Sequence, residues 1–361
     1  MKNKLNIAMI ALLLALCLLF SACGAQPAPQ AAPAEEAAPA EEAAPAEEAA
    51  PAEEAAPAEE EAAGLDAELP VRVVVLNGTT GFGMAGLMAK QAEGGAALNY
   101  SFGVETDASN VTAALVNGDC DIAALPTNAA SALYNKTQGK VRVLALNTRG
   151  VLYLLSDGTT PVESFADLDG QTVYVPAQNP SFIFAYLCKA NGVEVNIDNT
   201  YAQPAELNAA LASGEVHLAV LPEPMVTIAR AKNSGLQVAL DLTAEWDKVA
   251  EPGSLVQGCV AVRSDFADAH PAELAAFLAD YEASVALLSA DPADAARKIE
   301  AAGIFAQAAV AEKAIPNCNI CFVTGEQMKT ELSAFLQIMF EAAPQSIGGA
   351  LPADDFYCIL K

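Results

Sequence analysis

Short apolar runs rich in β-branched residues recur along the chain from residue 71 onward, and helix-favouring stretches separate them. The first run, VRVVVL at residues 71–76, predicts a buried strand. Further strands are predicted at residues 120–125, 141–146, 151–156, 171–175, 217–221, 236–240 and 258–263. Strands that alternate with helices indicate a mainly parallel sheet with helices on both faces.

The stretches between the strands predict helices at residues 84–90, 109–117, 129–136, 183–190, 204–212 and 270–289. Ser109 or Asn110 is the expected N-cap of the second of these helices, and Gly118 ends it. Pro271 lies near the first turn of the longest helix, where proline is well tolerated. Beyond residue 289 the chain is predicted to be mostly helical.

Two parts of the chain follow the same pattern. TAALVNGDCDIAALPTNA at residues 112–129 and NAALASGEVHLAVLPEPM at residues 208–225 both predict a helix, a glycine stop, a strand and a proline. Such an internal repeat indicates two similar lobes. We expect residues 69–152 to begin lobe I, residues 153–256 to form lobe II, and residues 257–361 to return to lobe I with C-terminal helices.

The amino-terminal 22 residues have a basic start at Lys2 and Lys4 and an apolar core at residues 7–20, which predicts a cleaved export signal. The segment resembles a bacterial lipoprotein signal, and this resemblance implies that Cys23 is lipidated and becomes the new amino terminus. The alternative is a soluble secreted protein cleaved near Ala22. Residues 31–60 are five copies of AAPAEE, so residues 23–68 are predicted to form an extended, disordered tether.

Charge and glycine spacing exclude two classes of partner. The net charge of −27 argues against nucleic acid, which requires a basic surface. Gly81, Gly83 and Gly86 match G-x-G-x-x-G, but residues 77–80 separate the first glycine from the strand. In a dinucleotide-binding turn the first glycine follows the strand closely, so no nucleotide cofactor is expected.

Polar bends follow several of the predicted strands, at residues 77–83, 126–128, 176–182 and 222–225. In open α/β sheets, ligands bind outside the carboxyl ends of the strands. The sequence therefore predicts a ligand site that these bends share.

Five segments of the chain resemble the solute-binding proteins of ABC importers: LNGTTGFGMAGLMAK, ALVNGDCDIAALPTNAASALYNK, DLDGQTVYVPAQNPSFIFAYLCKANG, LASGEVHLAVLPEPMV and VRSDFADAHPAELAAFL. The most similar branch is the nitrate/sulfonate/taurine group, which includes binders of thiamine-pyrimidine precursors. The resemblance covers about residues 71–361. It implies a two-lobed periplasmic-binding-protein-like fold of type II, with a mainly parallel sheet flanked by helices in each lobe.

The same resemblance implies a function. A monomer at the outer face of the cytoplasmic membrane would capture a small molecule between its lobes and deliver it to a permease with a cytoplasmic ATPase. The ligand-binding residues that it implies are Asn77, Thr79, Thr80, Phe82, Thr127, Asn128, Gln178, Asn179, Ser181, Phe182 and Glu223. Alternatively, Thr127, Asn128 and Ser181 are helix caps, and Phe82 and Phe182 belong to the core.

The charges of the bends favour a neutral or weakly cationic ligand. None of the bends contains lysine or arginine, and Arg149 is the nearest basic candidate in the sequence. Glu223 stands between two prolines, where a buried and unpaired carboxylate would cost several kcal/mol, so we expect it to contact the ligand or the hinge. A flat heterocycle such as a pyrimidine is therefore predicted over nitrate or a sulfonate.

The cysteines and histidines give little indication of a metal site or of catalysis. Cys318 and Cys321 form C-x-x-C, but there is no second such pair, and His217 and His270 are the only histidines, so zinc is not expected. Pairing among the cysteines after Cys23, at positions 120, 188, 259, 318, 321 and 358, stays open.

Two other functions remain as alternatives: a surface sensor that serves no transporter, and an enzyme on the same fold. For the enzyme, no nucleophile, base and orienting residue can be assigned from histidines placed in this way.

Overall fold

The computed structural model describes residues 64–360. The predicted signal at residues 1–22, the lipidation at Cys23 and nearly all of the tether lie outside the described residues. Within residues 64–360, none of the helices combines the length and the apolar composition that a membrane crossing requires.

The described residues form a mixed α/β structure. Its strands are β1 (Pro70–Leu76), β2 (Asn99–Glu105), β3 (Ile122–Pro126), β4 (Val141–Arg149), β5 (Leu152–Ser156), β6 (Thr172–Tyr174), β7 (Asn196–Asp198), β8 (Leu218–Pro222), β9 (Gln237–Asp241), β10 (Val256–Arg263) and β11 (Ile320–Val323). Its α-helices are α1 (Thr79–Phe82), α2 (Ala85–Ala92), α3 (Ala108–Asn117), α4 (Thr127–Thr137), α5 (Asn179–Ala190), α6 (Pro204–Ser213), α7 (Met225–Lys232), α8 (Leu242–Trp246), α9 (Ser264–Ala269), α10 (Pro271–Ala290), α11 (Pro292–Ala301), α12 (Ala308–Ala314) and α13 (Gly325–Ala342).

The strands form two sheets, and most strands of each sheet point the same way. The first has the order β11-β4-β10-β3-β1-β2, in which β1 to β4 share one direction and β10 and β11 oppose it. The second has the order β7-β6-β8-β5-β9, in which only β5 runs against the others. The predicted α/β fold class, with two sheets flanked by helices, is confirmed. The sheets are mixed rather than mainly parallel, because five of the nine pairs of neighbouring strands in residues 64–360 are antiparallel. We call β1–β4, β10 and β11 with their helices lobe I, and β5–β9 with their helices lobe II.

The two lobes repeat one arrangement, which explains the repeat in the sequence. Each contains three parallel strands in the order second-first-third, and the strand beside the third is antiparallel: β10 in lobe I and β5 in lobe II. The helix before each third strand ends at a left-handed glycine, Gly118 with φ 76° and Gly214 with φ 81°. Glycine adopts this conformation without the steric penalty of a Cβ atom.

Some local predictions were wrong. The N-cap of α3 is Asp107, whose carboxylate accepts a 2.7 Å hydrogen bond from the Ser109 amide, rather than Ser109 or Asn110. Strand β11 lies in the region that was expected to be mostly helical. Strands β2 and β7 were not predicted, and both are edge strands that bury few side chains.

An apolar core joins the lobes on one side. Trp246 of α8 is fully buried; its ring centroid lies 4.8 Å from that of Tyr186 on α5 and 6.0 Å from that of Phe335 on α13. Its indole Nε1 donates to the buried Ser254 hydroxyl at 2.8 Å. Because α13 belongs to lobe I, this cluster holds the lobes against each other by apolar contact.

Candidate functional site

The bend after β1 packs mainly against its own lobe. Asn77 is exposed, and the Gly78 amide donates to the Ile304 carbonyl at 3.1 Å. A Cβ atom on Gly81 would lie 2.5 Å from the Leu76 carbonyl oxygen, so this glycine allows the chain to approach its own strand. Its role in the described structure is thus explained by packing within the lobe.

The other predicted residues of this bend differ in accessibility. Thr79 and Thr80 are half-buried, and the Thr80 carbonyl accepts a 3.1 Å hydrogen bond from Asn147 Nδ2. Phe82 is fully buried, and its ring meets that of Phe305 edge-on with the centroids 6.1 Å apart. In this arrangement the Phe82 side chain is part of the lobe I core.

The bend after β3 begins α4. Thr127 is fully buried, and its hydroxyl donates to the Val256 carbonyl at 2.8 Å, which ties α4 to β10. Asn128 is half-buried, and its Nδ2 donates to the Ser346 carbonyl at 3.3 Å. The Asn128 Oδ1 atom faces lobe II.

The bend after β6 meets Asn128 directly. Asn179, at the start of α5 in lobe II, donates from Nδ2 to Asn128 Oδ1 at 2.7 Å. Gln178 before it is exposed and has φ 66°, a conformation that a residue with a side chain seldom adopts. Such outliers cluster at functional sites. The bends after β3 and β6, which the sequence predicted at the carboxyl ends of strands in different sheets, are therefore in contact.

Ser181 and Phe182 lie in the same first turn of α5 as Asn179 and do not take part in this contact. Ser181 pairs with the Asn199 side chain at 3.3–3.5 Å. Phe182 is half-buried and packs against the large apolar core. Asn199 also donates to the Val175 carbonyl at 2.8 Å, so this small network stays within lobe II.

Glu223, after β8, is buried but not unpaired. It is 3% exposed, and it accepts hydrogen bonds from the Thr227 amide at 3.1 Å and the Thr227 hydroxyl at 3.0 Å. Burial raises the pKa of Glu223, and hydrogen bonds from Thr227 and Asn317 oppose that rise. The carboxylate thus accepts hydrogen bonds from the first turn of α7, a structural role that was not predicted for Glu223.

A second link between the lobes was not predicted either. Tyr153 of β5 donates from its hydroxyl to the Asn317 carbonyl at 2.7 Å, and Asn319 Nδ2 donates to the Gly150 carbonyl at 2.6 Å. These asparagines flank Cys318 in the turn that leads into β11. The C-x-x-C spacing drew attention to the cysteines of this turn, whereas its asparagines make the contacts with the chain crossing between the lobes.

The basic residue nearest to the polar bends in the sequence, Arg149, already has an acidic partner. Arg149 Nη2 lies 2.8 Å from Glu331 Oε1, an ion pair within lobe I.

Burial raises the pKa of the Cys321 thiol to about 11, although Arg149 lowers it. The cysteines at positions 120, 188, 259, 318, 321 and 358 are free thiols. Residues 64–360 contain no cluster of three or more histidine, cysteine, aspartate or glutamate side chains suited to a metal.

The family model described as "NMT1/THI5 like" matches residues 93–295. The chain belongs to the NMT1/THI5-like family. No curated protein sequence matches the chain. The matched residues include all of lobe II and much of lobe I. Both Asn128 and Asn179 lie among them.

Solved structures share the fold of this family member. An ABC transporter structure from Parabacteroides distasonis is 24% identical, with 81% of this chain and 99% of that chain covered and a TM-score of 0.69. The periplasmic aliphatic sulphonate binding protein SsuA from Escherichia coli is 16% identical, with 78% and 90% covered and a TM-score of 0.61. The ligand-binding component of an ABC-type import system from Staphylococcus aureus, solved with zinc bound, is 15% identical, with 80% and 96% covered and a TM-score of 0.58. The predicted family resemblance and the periplasmic-binding-protein fold are confirmed.

Proposed function

We propose that the chain is an extracytoplasmic solute-binding protein that captures one small molecule between its lobes and delivers it to an ABC permease with a cytoplasmic ATPase. The observation that carries this proposal is the 2.7 Å hydrogen bond between Asn128 and Asn179, which joins bends at the carboxyl ends of strands in both sheets. A molecule bound at this point would contact both lobes at once. Binding would then be coupled to the relative position of the lobes.

The fold and the amino terminus support the same role. Solved proteins of this fold carry names such as ligand-binding component of an ABC-type import system and sulphonate-binding protein. The predicted export signal and Cys23 fit a protein that is lipid-anchored at the outer face of the cytoplasmic membrane. We propose that the protein acts there as a monomer and without catalysis.

The ligand that we propose is small, flat and neutral, with hydrogen-bonding groups, such as a pyrimidine-like heterocycle. The hydrogen bonds to Thr227 occupy the Glu223 carboxylate, and this removes the reason to favour a cation. The polar side chains that meet at the lobe contact are uncharged amides. The core position of Phe82 leaves hydrogen bonds, rather than stacking on that ring, as the main source of specificity.

A sulfonate or a similar anion is the second candidate, and one observation favours it. Helices α4 and α5 both begin at the lobe contact, and neither has a side-chain N-cap hydrogen bond. The amino termini of helices attract anions by about 0.3–1 kcal/mol each at exposed positions. This contribution is small compared with the roughly 8 kcal/mol that micromolar binding requires, so it does not displace the neutral ligand as the main proposal.

A thermal-shift screen of the full-length protein tests the function. The panel contains pyrimidines, vitamins, alkanesulfonates and amines, each at several concentrations. A ligand at a hundredfold excess over its Kd stabilises the folded state by about 2.7 kcal/mol, which a melting curve detects easily. A hit that is recovered chemically unchanged supports a binding protein. Conversion of the hit into a product would show an enzyme, and a panel without any hit would count against the proposal. A permease and ATPase encoded beside the gene would separate an importer component from a sensor.

A further inference from the structure

The chain first crosses from lobe I to lobe II in the short connection between β4 and β5. Residues 150 and 151 form this connection, and we call them the crossing. The Gly150 carbonyl accepts a hydrogen bond from Asn319 Nδ2 at 2.6 Å, and the Val151 amide donates to Gln257 Oε1 at 2.9 Å. The Val151 carbonyl accepts from the Glu223 amide at 2.9 Å. Three of the four backbone polar groups of the crossing therefore have partners on other elements.

The partners change from one lobe to the other within the crossing. Asn319 and Gln257 belong to lobe I, in the turn before β11 and in β10, whereas Glu223 follows β8 of lobe II. Lobe I thus holds the crossing as far as the Val151 amide, and lobe II holds it from the Val151 carbonyl onward. This change identifies the crossing as a hinge, where a few residues absorb the rotation of one lobe against the other.

The crossing is also tightly packed. A Cβ atom on Gly150 would lie 2.2 Å from Thr243 Oγ1 and 2.5 Å from Leu255 Cδ2. Thr243 belongs to α8 of lobe II, and Leu255 lies just before β10, where the chain returns to lobe I. Only glycine fits at position 150 without displacing one of these side chains. The crossing is therefore packed between the lobes as well as hydrogen-bonded to both.

Asn319 holds this connection by two hydrogen bonds. Besides the bond from its side chain to Gly150, its carbonyl accepts from the Arg149 amide at 3.0 Å. Its φ of 45° lies in the left-handed region, which asparagine adopts more readily than most residues. The same turn makes a third contact, since the Tyr153 hydroxyl of β5 donates to the Asn317 carbonyl at 2.7 Å. Both ends of the connection are thus fastened to one turn of lobe I.

The two cysteines of the C-x-x-C sequence anchor this turn in different cores. Cys318 is fully buried in the apolar core that contains Ile315, and Cys321 packs against the separate core that contains Val323. Both cysteines are free thiols. Their spacing is therefore explained by the packing of the turn between two cores, and Asn319, which lies between them, contacts the crossing.

We propose that Asn319 is a positioning residue that sets the orientation of the lobes at the hinge. Its short side chain restrains the Gly150 carbonyl, and the left-handed turn fixes the direction of that restraint. A restrained hinge keeps the lobes near the arrangement in which Asn128 meets Asn179, so less binding free energy is lost in ordering them. This inference deepens the proposed function and rests on it for its consequence in solute binding.

Pulsed electron–electron double resonance measures the distance between the lobes of the full-length protein without a solute. Nitroxide labels on unnatural residues at the exposed positions Ala113 in α3 and Ala190 in α5 leave the native thiols untouched. Asn319→Gly keeps the left-handed turn but lacks the donor, and we expect it to widen the distance distribution about twofold. Asn319→Asp keeps the shape and replaces the donor with an acceptor, so it should widen the distribution at least as much. Gln138→Gly, at an exposed residue of lobe I with φ 57°, is the matched control and should leave the width unchanged.

A second pair of variants tests the same turn from lobe II. Tyr153→Phe removes the hydroxyl that reaches Asn317, whereas Tyr201→Phe removes a hydroxyl that bonds Glu215 at 2.7 Å within lobe II. Tyr153→Phe should widen the distribution, and Tyr201→Phe should not. Melting curves show which variants are folded. A wild-type distance distribution in folded Asn319→Gly, or in Tyr153→Phe if Asn319→Gly does not fold, would overturn the inference.

The hinge assignment and the proposed function fail in different ways. For a solute found in the thermal-shift screen, Asn319→Gly should bind about three- to tenfold more weakly, because the competent arrangement of the lobes is less populated. An unchanged affinity would overturn the positioning role and leave the solute-binding function intact. A screen without any hit would count against the proposed function, whereas the distance measurement, which needs no solute, would still decide the role of Asn319 at the hinge.

Discussion

The hydrogen bond between Asn128 and Asn179 should couple the two lobes energetically, and a double-mutant cycle measures that coupling. The perturbations are Asn128→Ala, Asn179→Ala and the double variant. Both side chains are uncharged and half-buried, and the bond is 2.7 Å long. A cycle isolates the interaction between two side chains from the separate effects of removing each one.

The structure sets the size of each step. A neutral hydrogen bond contributes about 0.5–1.5 kcal/mol net to stability. Asn179→Ala removes this bond and leaves Asn128 Oδ1 without its donor. Asn128→Ala removes the same bond and also the 3.3 Å bond to the Ser346 carbonyl, so it should destabilise more. We expect a coupling energy of about 1 kcal/mol in the cycle.

Urea unfolding, followed by the fluorescence of Trp246, supplies the four free energies of unfolding. A control cycle uses Asn196 and Thr172, whose 3.1 Å side-chain hydrogen bond is exposed and lies within lobe II. The control should give a smaller coupling because the solvent replaces an exposed bond. A coupling energy below about 0.3 kcal/mol for Asn128 and Asn179, the usual limit of additivity, would refute the claim that this bond joins the lobes.

Three further substitutions test other parts of the structure, each by urea unfolding followed by circular dichroism, because one of them removes the single tryptophan. Trp246→Phe should destabilise by about 2–4 kcal/mol, because it shrinks a core side chain and leaves the buried Ser254 hydroxyl unpaired; a loss below about 1 kcal/mol would contradict this packing. Gly81→Ala should destabilise by about 1–3 kcal/mol, because its Cβ would meet the Leu76 carbonyl; an unchanged stability would contradict the close approach of the bend to β1. Burial raises the pKa of Glu223 in the folded state, so the folded protein binds more protons than the unfolded chain. The contribution of Glu223 to the free energy of unfolding should therefore fall as the pH rises above about 4.3. That fall amounts to about 1.4 kcal/mol for each tenfold difference in proton affinity between the folded and unfolded states, and Glu223→Gln should remove it. If the wild type and Glu223→Gln show the same dependence of stability on pH, the pKa of the Glu223 carboxyl is not raised by folding.

The sequence predicted those strands whose burial shows as a continuous or alternating run of apolar residues. Strand β1 alternates between full and partial burial, and β3 and β8 are apolar throughout and buried almost to their ends. Such strands are recognisable because burial requires an apolar run. Asn128 and Asn179 could be predicted at strand ends because each follows a predicted strand, β3 or β6. The sequence repeat aligns Asn128 with Pro224 and does not include Asn179, so it did not predict their contact.

Edge strands and long-range contacts could not be predicted in this way. In β2 only Tyr100 is fully buried, so the strand has no strong apolar pattern. Ser346 lies more than 200 residues along the chain from Asn128, to which its carbonyl is hydrogen-bonded, and no local pattern indicates that pairing. Glu223 looked unpaired because its partner Thr227 becomes a neighbour only once α7 forms.

Hydrogen–deuterium exchange of the full-length protein with and without a saturating solute tests the central claim most directly. One molecule held between the lobes should slow exchange at the start of α4 and at the start of α5 together, around Asn128 and Asn179. Protection of only one of these segments, or protection confined to a distant surface, would contradict a site shared by the two lobes.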